Sequence, residues 1–130
     1  MKLIVLDTNV LVSALWSKDG NPALVMALVL NGRITPCFDH RILEEFHGVL
    51  TRPRFGFSAG EVNALLSYIR TEGMSVVAPP LAIQLPDASD KMFLEVATCV
   101  NATLITGNLK HFPEVPFIQS PKTFLKQWNG

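Results

Sequence analysis

Leu3-Ile4-Val5-Leu6, followed at once by Asp7-Thr8-Asn9, is the stretch on which the reading of the fold turns. The apolar run has no polar alternation. A strand with one wet face alternates, whereas one covered on both faces does not, so the run predicts a strand inside a parallel sheet. Asp7-Thr8-Asn9 ends it, and Val10–Trp16 reads as helix. Working outward, Asn21-Pro22 starts a helix that runs to about Leu30 and stops at Asn31-Gly32. Arg33–Phe38 is a short strand, and Asp39 caps a helix over His40–Leu50 that ends at Thr51-Arg52-Pro53. Ser58 begins a helix through Ile69, closed by Gly73, and Met74–Val77 is a strand. After a loop over Pro79–Pro86, Asp87-Ala88-Ser89-Asp90 leads a helix to about Val100. Thr103–Thr106 and Val115–Ile118 read as strands, with a terminal helix over Pro121–Trp128. Short apolar strands alternating with helices predict an α/β fold with a parallel sheet covered on both faces. Ligands of such sheets sit beyond the carboxyl ends of the strands, so the residues just after each strand are the place to look.

At 130 residues the chain reads as one domain over 1–130. With 48% apolar and 17% charged residues it is too apolar for a disordered chain. Eleven basic and eleven acidic side chains cancel, which excludes holding nucleic acid by bulk charge and favours self-association at neutral pH. Cys37 and Cys99 are far apart with no ligand spacing around them, so two buried thiols in a reducing compartment are expected. Asp7 and Asn9 interrupt the opening apolar run, and no stretch nears the ~20 apolar residues that span a bilayer. A soluble, cytoplasmic protein with no membrane partner is the expectation.

The acids carry the chemistry. Asp7 follows the first strand and, taken alone, could be a helix cap. Asp87 fits a cap for the helix holding Met92, Phe93, Val96 and Val100, with Asp90 as the favourable acid of its first turn. In the helix at 40–50, the apolar residues Ile42, Leu43, Phe46, Val49 and Leu50 form one stripe centred near Phe46. At ~100° per residue, Glu45 lies about 100° from that centre and Glu44 about 160° away. Glu45 therefore sits at the edge of the buried face and Glu44 in solvent. The same arithmetic puts Asp90 at an edge and Glu95 outside. If Asp7, Glu45 and Asp90 converge, with Asn108 nearby, they must bind protons or a cation. Hard oxygen donors favour Mg2+ or Mn2+, which also accept phosphate oxygens.

Several blocks of the sequence resemble the PIN domain family. They are Ile4–Ala14, which opens Ile-Val-Leu-Asp-Thr-Asn; Leu43-Glu44-Glu45-Phe46 with Val49–Phe55; Pro86–Ala97, which contains Asp87-Ala88-Ser89-Asp90; and Leu104–Pro113, which contains Thr106-Gly107-Asn108. They come in the family's order and span nearly the whole chain. The resemblance implies a three-layer α/β/α sandwich around a parallel sheet and a Mg2+- or Mn2+-dependent ribonuclease. Small members of this kind resemble VapC-like toxins of toxin–antitoxin pairs, which implies an antitoxin partner and a homodimer. Carried over by position, Asp7, Glu45 and Asp90 match the metal-binding and catalytic acids. Asp87 is similar to an accessory acid, and Asn9 matches a polar residue supporting the first Asp. Thr106 belongs to the accessory positions. The fourth position, usually Asp, is Asn108 here. An amide contributes no charge, so one firm metal site is expected, with the second weak or completed by substrate. The same departure leaves open a weak or inactive module that binds RNA or metal under a partner's control. A dehalogenase-like phosphatase would need a second Asp where Asn9 stands.

Arg52 and Arg54 flank Pro53 and are candidates for RNA phosphates, though basic residues also suit a helix C-terminus. Lys110 and His111 follow Asn108 and are candidates for substrate contact. His40 and His47 read as surface residues. Trp16 and Trp128 read as core or dimer interface rather than base-stacking platforms. The Leu24–Leu30 run and Val62, Leu65, Leu66 and Ile69 read as core or interface.

Overall fold

The computed structural model describes residues 2–130. Five strands form one sheet, β1 (Lys2–Leu6), β2 (Ile34–Phe38), β3 (Met74–Ser75), β4 (Thr103–Ile105) and β5 (Ile118–Gln119), in the spatial order β3-β2-β1-β4-β5. Every pairing is parallel. β1 is central, with Ile4 opposite both Pro36 and Thr103 and Leu6 opposite Ile105. Ile4, Val5 and Leu6 are buried, as the unbroken apolar run requires.

Six helices cover the sheet: α1 (Thr8–Trp16), α2 (Asn21–Leu30), α3 (His40–Leu50), α4 (Ala59–Glu72), α5 (Lys91–Val100) and α6 (Pro121–Gln127). α5 crosses the middle of the sheet against β1, β2 and β4 and packs on α3. α2 packs on α1, α6 and β2, and α6 reaches β5. This is the α/β/α sandwich with a central parallel sheet. The core includes Phe46 of α3 and Phe93 of α5, ring centroids 6.4 Å apart. Truncating either to Ala costs about 3–5 kcal/mol.

Local signals explain most element ends. Asp39 accepts a bond from the Ile42 amide and so caps α3, and Ser58 does the same for α4 through Glu61. Pro22 lies in the first turn of α2 and Pro121 in that of α6. α4 stops at Gly73 because β2 lies too close for a side chain. A Cβ there would stand 2.5 Å from the carbonyl oxygens of Ile69 and Pro36. β3 pairs with β2 only at Cys37 and Phe38, beyond Pro36, whose ring offers no N–H.

The structure corrects several expectations. β3 ends at Ser75, and Val77 is 94% exposed. The last strand is Ile118–Gln119 rather than Val115–Ile118, because the Ile118 amide closes a turn onto the Val115 carbonyl before pairing begins. A 3-10 turn over Ala88–Asp90 precedes α5, and Asp87 caps that turn through Ser89 rather than the helix. Cys37 is buried, and burial pushes its thiol up to about 11, but Cys99 is exposed. Trp16 is 62% exposed, not core. Glu95 is not outside but buried. α5 is enclosed on its outer side as well, where the Leu81 amide donates to Glu95 Oε2 at 2.8 Å and Arg41 Nη1 reaches Oε1 at 2.9 Å.

Candidate functional site

β1 and β4 lie side by side, but the chain leaves them toward opposite edges of the sheet: from β1 toward β2, from β4 toward β5. A crevice opens at such a point, beyond the carboxyl ends of the two strands. Asp7 follows β1 and Thr106-Gly107-Asn108 follows β4. The cleft formed there has a volume of about 350 Å3 and is lined by Asp7, Asn9, Glu45, Asp87, Asp90, Asn108 and His111 together with Thr8, Val12, Ser13, Val49, Phe55 and Ser89. Segments far apart in sequence thus supply acids to one cavity. Among the described residues that line it, none is Lys or Arg.

Asp7 stands at the N-cap position of α1 without making a side-chain capping bond. Its Oδ2 instead accepts from Thr106 Oγ1 at 2.8 Å and from Asn9 Nδ2 at 3.1 Å, so neither bond uses Oδ1. The loop after β4 locks this arrangement. The Asn108 amide donates to Thr106 Oγ1 at 2.9 Å, which turns that hydroxyl's proton toward Asp7, and the Gly107 amide donates to Asn9 Oδ1 at 2.8 Å. Gly107 matters for its size: a Cβ there would stand 3.1 Å from Asn9 Oδ1. Thr106 is fully buried beneath the cleft.

Asp90 ends the 3-10 turn, and its Oδ2 lies 2.9 Å from His111 Nδ1. Glu45 projects from α3 at the half-buried position, and Thr8 Oγ1 donates to its Oε2 at 3.3 Å; its neighbour Glu44 is exposed. Asp87 turns back onto Ser89, accepting from both its amide and its hydroxyl. Those bonds hold the Asp87 carboxyl below its ordinary value. Burial holds Asp7 above its ordinary value, with the charge of Asp90 adding and the Thr106 bond opposing. Burial also raises Asp90, against the pull of His111. Both shifts have one physical meaning: acids drawn into a low-dielectric cleft without a cation of their own resist ionisation.

The donor set suits a hard divalent cation. It offers carboxylate and amide oxygens and no thiol, and the one imidazole is turned onto Asp90 through Nδ1. Arg52, Arg54 and Lys110 are exposed and outside the cleft lining, and Arg54 lies over the Phe55 ring. Two contacts escaped the sequence reading. Thr8 is the residue after Asp7, but its bond to Glu45 depends on where α3 crosses α1. His111, a candidate for substrate contact, lines the cleft and also pairs with Asp90 through Nδ1. A second cavity, of about 380 Å3 and lined by Leu43, Glu44, His47, Asn63, Leu66, Ser67 and Arg70, has one acid and one arginine among its lining residues. No helix among the described residues is long and apolar enough to cross a membrane.

Comparison with known proteins agrees with this geometry. The chain is 29% identical over 108 residues to the uncharacterized protein MJ1680 of Methanocaldococcus jannaschii, a match covering 81% of this chain and 70% of that protein. A family model described as PIN domain matches residues 3–110, a span that includes β1 with Asp7, α3 with Glu45, the 3-10 turn with Asp90 and the loop with Asn108. PIN domains are generally nucleases and typically use divalent metals. On that match, and with the parallel sheet that carries it, this chain belongs to the PIN domain family.

Proposed function

We propose that the protein is a metal-dependent endoribonuclease that hydrolyses RNA phosphodiester bonds at the cleft after β1 and β4. The observation that carries the reading is the meeting of Asp7, Glu45 and Asp90, from segments remote in sequence, in one cavity whose described lining has no Lys or Arg. Those acids would hold Mg2+ or Mn2+. When bound, such a cation lowers the pKa of a water and neutralises charge on the phosphate under attack.

The chain's own residues set the terms of that binding. Thr106 and Asn9 hold Asp7 Oδ2, which orients the carboxylate and leaves Oδ1 toward other ligands. His111 fixes the Asp90 carboxylate in the same way, and Thr8 steadies Glu45. Asn108 lines the cleft without adding charge, so the pocket carries one negative charge fewer than an all-acid set. This supports one strong cation site rather than two.

The narrower reading is a VapC-like toxin, held by a cognate antitoxin protein and acting as a homodimer in the cytoplasm. It rests on the resemblance of the sequence blocks. Half-exposed Leu24 and Leu30 on α2 are compatible with a subunit contact.

Single-stranded RNA incubated with the purified protein and Mn2+ tests the reading. Cleavage leaving 5′-phosphate and 3′-hydroxyl ends is expected, lost with EDTA and lost in Asp7→Asn. Equal cutting by wild type and Asp7→Asn would refute it.

A further inference from the structure

The acidic cleft opens sideways onto an apolar surface. Val12, Ser13 and Phe55 line both the cleft and a neighbouring cavity of about 390 Å3 that Trp16 and Ser17 complete. Trp16, at the end of α1, meets Phe55 edge-on at 5.6 Å and Phe57 at 6.1 Å. Phe55 and Phe57 stack at 5.5 Å with their planes 9° apart. The turn between them makes this stacking reachable: Gly56 has φ +67, a conformation that a side chain disfavours, and it folds the chain back so that residues 55 and 57 share a side. The Arg54 guanidinium lies 4.9 Å from the Phe55 ring centre. Three rings and a cation thus form a ledge beside the acids. Trp16 remains 62% exposed, although burying such a ring is among the larger gains open to a side chain.

We propose that this ledge takes an unpaired base of single-stranded nucleic acid, stacked on the exposed Trp16 ring with Phe55 beside it, while the adjoining phosphate lies over the acids. The inference rests on the nuclease reading above and names the form of its substrate. Continuity with the cleft favours this occupant, since a chain whose phosphate sits at Asp7 and Asp90 passes Val12, Ser13 and Phe55 as it leaves. Charge favours it too. Arg54 and Arg52, exposed on either side of Pro53, supply the cations that a phosphate backbone needs and that the cleft lacks. Stacking is tolerant of base identity because every base has a π face, so the ledge selects single strands over duplexes rather than one sequence over another.

Trp16 reports its own occupancy. The chain has two tryptophans, and Trp128 packs on Phe124 at 6.0 Å, so Trp128→Phe leaves Trp16 as the sole tryptophan emitter. A short oligouridylate, added to that variant with Ca2+ in place of Mg2+, should quench the emission to saturation. A blunt RNA duplex and an abasic oligomer of equal length should quench it little. By anisotropy of a labelled oligouridylate, Trp16→Ala should bind roughly tenfold or more weakly, and Trp16→Phe should recover most of the loss. In cleavage assays with Mn2+, Trp16→Ala should raise KM more than it lowers kcat. Binding by Trp16→Ala equal to wild type, equal quenching by the abasic oligomer, or a change of oligomeric state in Trp16→Ala would each overturn the proposal, the last because a protein surface then covers the ledge. Base-dependent quenching without cleavage in any metal would uphold the ledge and overturn the nuclease reading.

Discussion

Two groups of carboxylates sit on the same frame, and only one of them has brought its own cation. Asp39, at the N-cap of α3, and Glu95, on the enclosed outer side of α5, share Arg41, with Nη2 2.7 Å from Asp39 Oδ2 and Nη1 2.9 Å from Glu95 Oε1. Burial alone would push the Glu95 carboxyl up, but the Leu81 amide and the guanidinium outweigh it and hold it below its ordinary value. Asp7 and Asp90 have hydroxyl, amide and imidazole neighbours instead, and both are shifted upward. The difference lies in the partner, not the residue type. A carboxylate satisfied by a guanidinium is structure, whereas clustered carboxylates left short of positive charge resist ionisation, the condition that the proposed cation would relieve.

The sharpest way to break this contrast is to neutralise one acid of the cleft. Asp90→Asn should cut RNA about 10³-fold more slowly, a loss of roughly 4 kcal/mol of transition-state stabilisation. The same change should leave metal-free thermal stability unchanged or slightly higher, because it removes an acid that resists ionising. A cleavage time course and a melting curve read both effects.

On the other side, Arg41→Met should leave Asp39 and Glu95 buried without their cation. Breaking a fully buried pair costs about 3–5 kcal/mol, and the 41% exposure of the Arg41 side chain brings the expected loss to or below the lower end of that range, about 2–3 kcal/mol by urea unfolding. pH separates the two groups further. The lowered pKa of Glu95 means that its share of stability is present above the ordinary carboxylate value and lost as pH falls through the folded value. Asp7 and Asp90 act oppositely in the metal-free protein: their raised values make stability fall as pH rises from the ordinary carboxylate value through the folded ones. Stability measured from acid to neutral pH in Glu95→Gln and Asp90→Asn should therefore depart from wild type in opposite directions.

Added cation should act on one group only. Mg2+ or Mn2+ at a hundredfold excess over its dissociation constant stabilises by about 2.7 kcal/mol, visible as a rise in Tm. The rise should survive in Arg41→Met and shrink in Asp90→Asn. An unchanged rise in Asp90→Asn would remove the cleft as the binding site. The smallest effect is expected from Asn108→Asp. It should tighten Mn2+ binding by about tenfold, ~1.4 kcal/mol, in calorimetric titration, and lower metal-free stability by a similar or smaller amount.

Much of this molecule was written in local signals. The unbroken apolar run before Asp7 specifies a strand covered on both faces. Asp39 and Ser58 cap helices wherever the chain places those helices, and Pro22 marks a helix start through its own covalent geometry. Glu45 was separable from Glu44 because the angle around one helix is fixed by its own repeat. Each of these depends on neighbours within a few residues.

Tertiary structure decided the remainder, and Glu95 shows why. Helical periodicity put it outside α5, yet the segment carrying Leu81 and the side chain of Arg41 enclose that face, a fact set by chain distant in sequence. Trp16 is the converse: an aromatic residue read as core or dimer interface stands 62% exposed in this chain, resting on Phe55 and Phe57, which the turn at Gly56 brings together. The gathering of Asp7, Glu45 and Asp90 likewise depends on strand order. β4 docks beside β1 across a hundred residues of chain, which no local pattern encodes, and that docking sets Thr106 against Asp7. Sequence determined which residues could bear the chemistry, and packing alone determined which of them share a cavity.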